Sequence, residues 1–256
     1  MTKAEFELVP GSADSGLLLV CDHAANALPE GYATLGLHDR LLETHIAKDI
    51  GAADVTRALA SEFGAPAVLA RWSRLLIDLN RGPDDPTLVM KLSDGSIIPG
   101  NAGADAAEVA NRIARYHAPY HAAIASEIAA LSGVPTILSI HSFTPVWKGK
   151  PRPWQVGILW DRDDRLAAPL IKRLADAGFN VGDNEPYSGE LENDTLYEHA
   201  TMNGLPHVLI EIRQDLIATP EAAREFAGKL APIIKTALAD MGPAAIKFTR
   251  GERKHV

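Results

Sequence analysis

Three apolar stretches of this 256-residue chain end on groups that bind metals or move protons. Leu17-Leu18-Leu19-Val20-Cys21-Asp22 runs into His23, Thr136-Ile137-Leu138-Ser139-Ile140 into His141, and Val208-Leu209-Ile210 into Glu211. In an open α/β sheet the carboxyl ends of the strands face one crevice, so residues far apart in sequence converge there. Two imidazoles and one or two carboxylates in a crevice are the usual makings of a catalytic zinc site. His23 and His141 are the first two candidate ligands, with Asp22 or a backbone carbonyl fixing the tautomer of His23. A further ligand is expected from the segment after the first loop, which offers Glu43, His45, Asp49 and Asp54. Glu43 is the first choice, because a carboxylate in the first turn suits the helix dipole. His45 is the second, one turn from Asp49 on a shared face.

Glu211 stands in an otherwise apolar run. Desolvation there raises a carboxyl pKa toward values useful for a general base. Asn80-Arg81 closes the stretch Leu75-Leu76-Ile77-Asp78-Leu79, and an amide beside a guanidinium fork suits bidentate capture of a substrate carboxylate. Arg74, at the other end of that stretch, and Arg213, which either pairs with Glu211 or joins substrate binding, are further candidates. His117 and His121 have i, i+4 spacing, which can bind zinc, but no glutamate follows His117 and Pro119 intervenes. The favoured reading is a helix packed with amphipathic aromatic groups, one histidine supporting the site from behind. Tyr187 and His199 flank a late loop, within reach of a transition state.

The elements that must position these residues alternate from end to end. Strands are expected at 16–22, 66–70, 74–80, 135–141, 155–160 and 206–213, and helices at 40–63, 105–131, 163–177, 194–203 and 219–241. This order reads as a three-layer α/β/α fold with a mostly parallel or mixed central sheet. Glycines 64, 133, 178 and 204 mark helix ends, and Asp94-Gly95 marks a hairpin within a long connection at 82–104. The absence of repeats, low-complexity tracts and linkers favours one domain over residues 1–256.

Composition narrows the class further. With 25 Lys and Arg against 33 Asp and Glu, the net charge of -8 and the lack of a Lys/Arg cluster argue against nucleic acid or an anionic membrane as the main partner. A small molecule is the expected partner, and composition leaves the oligomeric state open. The N-terminal residues lack the pattern of a signal peptide, and no apolar run reaches the length of a membrane span. The single cysteine, Cys21, excludes an internal disulfide, fits a reducing cytoplasm and reads as a core residue.

Five segments in order carry a resemblance over nearly the whole chain: Asp22-His23-Ala24-Ala25-Asn26 through Pro29, Ser73 through Arg81, Tyr116-His117-Ala118-Pro119-Tyr120-His121, Ile140-His141-Ser142, and Glu211 through Ile217. Together they resemble the N-formylglutamate amidohydrolase family, in a divergent subgroup. The resemblance implies a zinc-exopeptidase-like fold, distantly related to carboxypeptidases, and one divalent zinc ion. It also implies His23 and His141 as ligands, Asn80 and Arg81 on the substrate carboxylate, Glu211 as base and Tyr187 as a substrate-loop tyrosine. The carboxypeptidase-type His-x-x-Glu is replaced here by His23 and Asn26, so the second ligand must come later, from Glu43 or His45. The implied activity is metal-dependent hydrolysis of N-formylglutamate or a related N-acyl amino acid. A metallo-carboxypeptidase, another deacylase of the same fold, or a non-catalytic carboxylate-binding protein would use the same residues.

Overall fold

Seven strands form one mixed sheet in a computed structural model that describes residues 5–241. In chain order they are β1 (Phe6–Val9), β2 (Leu17–Cys21), β3 (Ala67–Ala70), β4 (Thr136–Phe143), β5 (Val156–Leu159), β6 (Val181–Asp183) and β7 (His207–Arg213). Their spatial order is β1-β3-β2-β4-β7-β5-β6. The central four, β3, β2, β4 and β7, are parallel; β1 and β5 pair antiparallel with β3 and β7, and β6 runs parallel to β5. The central strands are buried on both faces, which is why their sequences are nearly continuous apolar runs.

Side-chain alternation splits these runs between two apolar layers. Leu17, Leu19, Leu138, Ile140, Val208 and Ile210 pack beneath helices α1 (Ala52–Phe63), α3 (Ala167–Asp176) and α5 (Pro220–Met241). Leu18, Val20, Ile137 and Leu209 face the other way, against Tyr116, Tyr120 and Ile124 of the helical stretch that ends in α2 (Ala118–Ala130). The result is the expected α/β/α sandwich. A short helix, α4 (Thr195–His199), lies on the α2 side. Among the described residues no helix is long and apolar enough to cross a membrane.

Two expected elements are replaced by irregular chain, and both replacements serve the site. The helix expected over 40–63 is one turn at Asp39–Leu42, then turns, then α1. Gly51, with φ of 79°, is seated so closely on Ile217 that a Cβ would lie 2.1 Å from its carbonyl oxygen, so the backbone turns there and only then enters α1. The strand expected over 74–80 is a chain of turns. Its apolar residues are buried as a strand's would be, but its polar backbone is satisfied by turn bonds and by side chains instead of a ladder. Asn101 Nδ2 donates to the carbonyl of Leu75 and Arg112 Nη1 to that of Leu76, at 2.7 and 2.8 Å.

The helix expected over 105–131 is present with one irregularity, a wide turn at Ile113–His117 closed by Ala118 N–H on the carbonyl of Ile113. Pro119 follows at once and has no N–H to continue the ordinary ladder. Around Asp94-Gly95, both with positive φ, Leu92–Ser93 pairs with Ser96–Ile97. Short β1 and β6, and a two-residue ribbon joining Val146–Trp147 to Lys150–Pro151, carry too few residues to show a period.

Arg112 is 2% exposed and also donates to Asn101 Oδ1 and Glu108 Oε1, at 2.7 Å each. Arg112→Met keeps much of the volume and strands two buried acceptors. The expected loss is about 3 kcal/mol in urea unfolding, as one to three per orphaned group implies. A loss below about 1 kcal/mol would show that the 74–80 segment does not depend on this clamp.

Candidate active site

The parallel pairing of β4 and β7 places His141 and Glu211 opposite each other in register, and His23 lies two residues beyond the end of the adjacent β2. The three converge at the carboxyl ends of their strands. Asp49 completes the group. Its N–H donates to the carbonyl of His23 at 2.9 Å, and its Oδ2 lies 3.3 Å from His23 Nδ1 and 2.8 Å from His141 Nδ1.

The other nitrogen of each ring is also held by a carboxylate. His23 Nε2 is 2.7 Å from Asp78 Oδ1, and His141 Nε2 is 3.1 Å from Asp22 Oδ2. All five side chains are buried. Burial pushes Asp22 up, but His141 and His23 outweigh it and hold the carboxyl at about 2. Burial and the Arg74 charge push His23 down, yet Asp78 and Asp49 more than offset both and raise it. His141 moves further: burial opposes protonation, while hydrogen bonds to Asp22 and Asp49 lift it well above the ordinary histidine value.

Glu211 has the opposite environment. Burial drives its carboxyl up, the His141 charge opposes this, Asp49 adds to it, and the result is about 7. Its Oε2 is buried and has no hydrogen-bond partner among the described residues. It lines, with His23, Asp49 and His141, an open cavity of about 450 Å³.

Asn80, Arg81, Arg74 and Tyr187 line the same cavity. Thr195 N–H donates to Asn80 Oδ1 at 3.1 Å, which leaves Nδ2 as the donor Asn80 offers the cavity. Arg81 Nη1 donates to the carbonyl of Asn80 at 2.8 Å, and its Nε is 3.9 Å from Asp85 Oδ2. Arg74 is more committed, donating to Asp78 Oδ2 at 2.8 Å with Nη1 3.6 Å from Asp49 Oδ1. The Tyr187 hydroxyl accepts from Arg152, a buried guanidinium also packed over the Phe143, Trp147 and Tyr187 rings.

Three residues expected in the site do not join its converging group. Glu43 is at the surface, pairing with Lys48 at 3.1 Å and accepting from Asn26 at 2.8 Å, because the chain between it and the sheet is not helical. His45 reaches the cavity rim, where it meets Asp94 and the Trp147 ring, and does not join His23 and His141. Arg213, on the same strand face as Glu211 but at the partly exposed end of β7, turns to Asp215 and to the carbonyls of 152–154 instead.

Asp49 lies in the expected segment but ranked behind both neighbours, since a helical reading gave it no advantage. Asp22 backs His141, not His23; Asp78 takes the role at His23, and its lone charge inside an apolar run is the signal that could have pointed to it.

Relatives share this architecture. A gene product of Agrobacterium tumefaciens, known from its crystal structure, has 37% identity to this chain over 93% of it and 96% of its own length, with a TM-score of 0.89. The N-formylglutamate amidohydrolase of Ralstonia eutropha JMP134 has 23% identity over 94% of this chain and 97% of its own, with a TM-score of 0.66, a likeness of fold. No curated protein matches the sequence. Residues 15–218, which hold every site residue described above, match the profile of the N-formylglutamate amidohydrolases, and the chain belongs to that family.

Proposed function

We propose that this protein hydrolyses the amide bond of a small N-acyl amino acid, N-formylglutamate or a related N-acyl substrate, using one divalent cation, zinc in the first instance. Family membership supports amide hydrolysis. The observation that carries the reading is the pairing of a nearly pH-neutral, unpartnered Glu211 carboxyl with the His23, Asp49 and His141 group on one cavity wall.

The donor set fits a cation. Two imidazole Nδ1 atoms converge on one oxygen of Asp49, and both rings are backed by carboxylates, the usual support of metal-bound histidine. Both rings face carboxylate acceptors at both nitrogens, which raise both above the ordinary histidine value and so favour the doubly protonated form when no cation is bound. A divalent cation held by His23, Asp49 and His141 would replace two of these protons at no change in net charge. When bound, such a cation polarises an acyl carbonyl and acidifies water.

The chain's own residues supply the rest. Glu211, with a free oxygen and a pKa of about 7, takes the proton of the attacking water and passes it to the departing nitrogen, so that an amine leaves. Asn80 Nδ2 and the Arg81 guanidinium hold the amino-acid carboxylate and thereby set where the scissile bond lies. Tyr187, braced by Arg152, lines the same cavity.

Elemental analysis of protein purified without chelator should give about one metal per chain. Asp49→Ala should lose it and Glu43→Ala keep it; the reverse would return the ligand to Glu43. Glu211→Gln should lower kcat by at least about a thousandfold with metal content unchanged, and wild-type kcat/KM should fall below a midpoint no higher than about pH 7, where the base becomes protonated. Retained turnover in Glu211→Gln would remove it as base. Arg81→Lys should raise KM for an N-acyl amino acid about tenfold, because an ammonium lacks the planar fork; unchanged KM would take Arg81 out of carboxylate binding.

A further inference from the structure

The sequence Tyr116-His117-Ala118-Pro119-Tyr120-His121 holds two buried histidines that the chemistry above does not use. His117 Nε2 lies 2.9 Å from the carbonyl oxygen of Arg81, and His121 Nε2 lies 3.0 Å from that of Leu79. A carbonyl only accepts, so both rings must carry their proton on Nε2. His121 Nδ1 is then a bare lone pair, and it lies 2.9 Å from His199 Nε2, which must be the donor. Burial, with His117 and His199 alongside, pushes the pKa of His121 down to about 3, so the ring stays neutral.

His121, His199 and Glu198 also bring three ligand-type atoms together, with His121 Nδ1 3.6 Å from Glu198 Oε2. The geometry is that of a hydrogen bond instead. The two imidazole planes are within 15° of each other and their centroids are 5.1 Å apart, an edge-to-edge meeting in which the two nitrogens face each other across one proton. A zinc ion at the roughly 2.0 Å of a zinc–imidazole bond from both nitrogens would have to sit off the line that joins them, whereas the nearly coplanar rings aim their nitrogens along that line.

Between the two gripped carbonyls sits Asn80, and its own carbonyl accepts from Arg81 Nη1. Its N–H donates to Asp78 Oδ1, and its Oδ1 accepts from Thr195 N–H. Three successive carbonyls, 79 to 81, thus each receive a side-chain donor, two of them imidazoles from one helical stretch. We propose that His117 and His121, with His199 fixing the tautomer of His121, are positioning residues that hold the 79–81 strip so that Asn80 and Arg81 present a rigid carboxylate receptor. This rests on the assignment of Asn80 and Arg81 to the substrate carboxylate. The histidines touch neither substrate nor reacting atoms; they set substrate affinity through the backbone.

The test separates this role from folding and from the functional reading. On the wild-type protein, long-range nitrogen–proton NMR of the imidazoles should show His117, His121 and His199 each protonated on Nε2, with His121 and His199 neutral; an Nδ1–H tautomer at His121, or a bare Nε2 at His117, would overturn the proposal whatever the enzyme does. For kinetics, His117→Gln and His121→Gln keep an amide donor near Nε2, while His117→Phe and His121→Phe keep the ring and lose it. The Phe variants should lose roughly ten- to a hundredfold in kcat/KM on N-formylglutamate, mostly through KM, with metal content unchanged. The Gln variants should recover most of it. On the α-carboxamide analogue, which lacks the anchoring charge, all four should match wild type within about twofold. Equal losses on both substrates, or Gln variants as poor as Phe, would reduce the histidines to structural packing. Should the Phe variants not fold, the Gln pair and the tautomer assignment still decide. If wild type hydrolyses neither substrate, the functional reading fails, and the Nε2 tautomers stand or fall by NMR alone.

Discussion

Asp49 is the residue on which the rest of the site depends. One of its oxygens faces both imidazoles, and its backbone N–H is tied to the chain at His23. A buried carboxylate without partners would cost several kcal/mol, so the group persists only because cations meet it from several sides. His23, His141 and the partly exposed Arg74 interlock with the buried carboxylates of Asp22, Asp49 and Asp78, and those carboxylates raise both histidines above their ordinary value. Such networks add little net stability over an apolar core. They do fix geometry, since any rearrangement strands a charge.

That balance also explains Glu211. It is the fourth carboxylate in a set whose cations are each already engaged, and burial strips it of most of its hydration. Its proton is therefore held more tightly than usual, which suits a group that must both take and return one. The neighbouring carboxylates are pinned low by their partners, as Asp22 is. Opposite demands on adjacent acids are met by the number of partners each has, without any difference in side-chain chemistry.

The sandwich was legible because its evidence is local. Apolar runs of five to eight residues, glycine-marked helix ends and the Asp94-Gly95 turn each report on their own segment, and His23, His141 and Glu211 stand out as polar residues closing such runs. The second ligand was not legible for the same reason. A regular helix through 40–63 would display Glu43 and His45 as well as Asp49; the chain instead runs through turns over 43–51, with Gly51 at positive φ against Ile217, 166 residues away, and Asp49 faces inward. Likewise Leu75-Leu76-Ile77 has a strand's composition. Its conversion to turns depends on Arg112 and Asn101, whose side chains reach it from elsewhere in the sequence. Sequence periodicity reports burial; it does not report which partner satisfies the backbone.

The wide turn at Ile113–His117 divides one helical stretch into two registers. Arg112, ahead of it, reaches the carbonyl of Leu76; His117 and His121, at its end and beyond, reach those of Arg81 and Leu79. An α-helix advances about 100° and 1.5 Å per residue, so the single extra residue in the turn sets the phase between the two grips. The helix acts as a vernier along the irregular strip it faces: its two halves read the same segment at different offsets. Lengthening or shortening that strip by one residue is therefore compatible with the site only if the helix changes by a matching step, and the two segments are bound to vary together or to stay fixed.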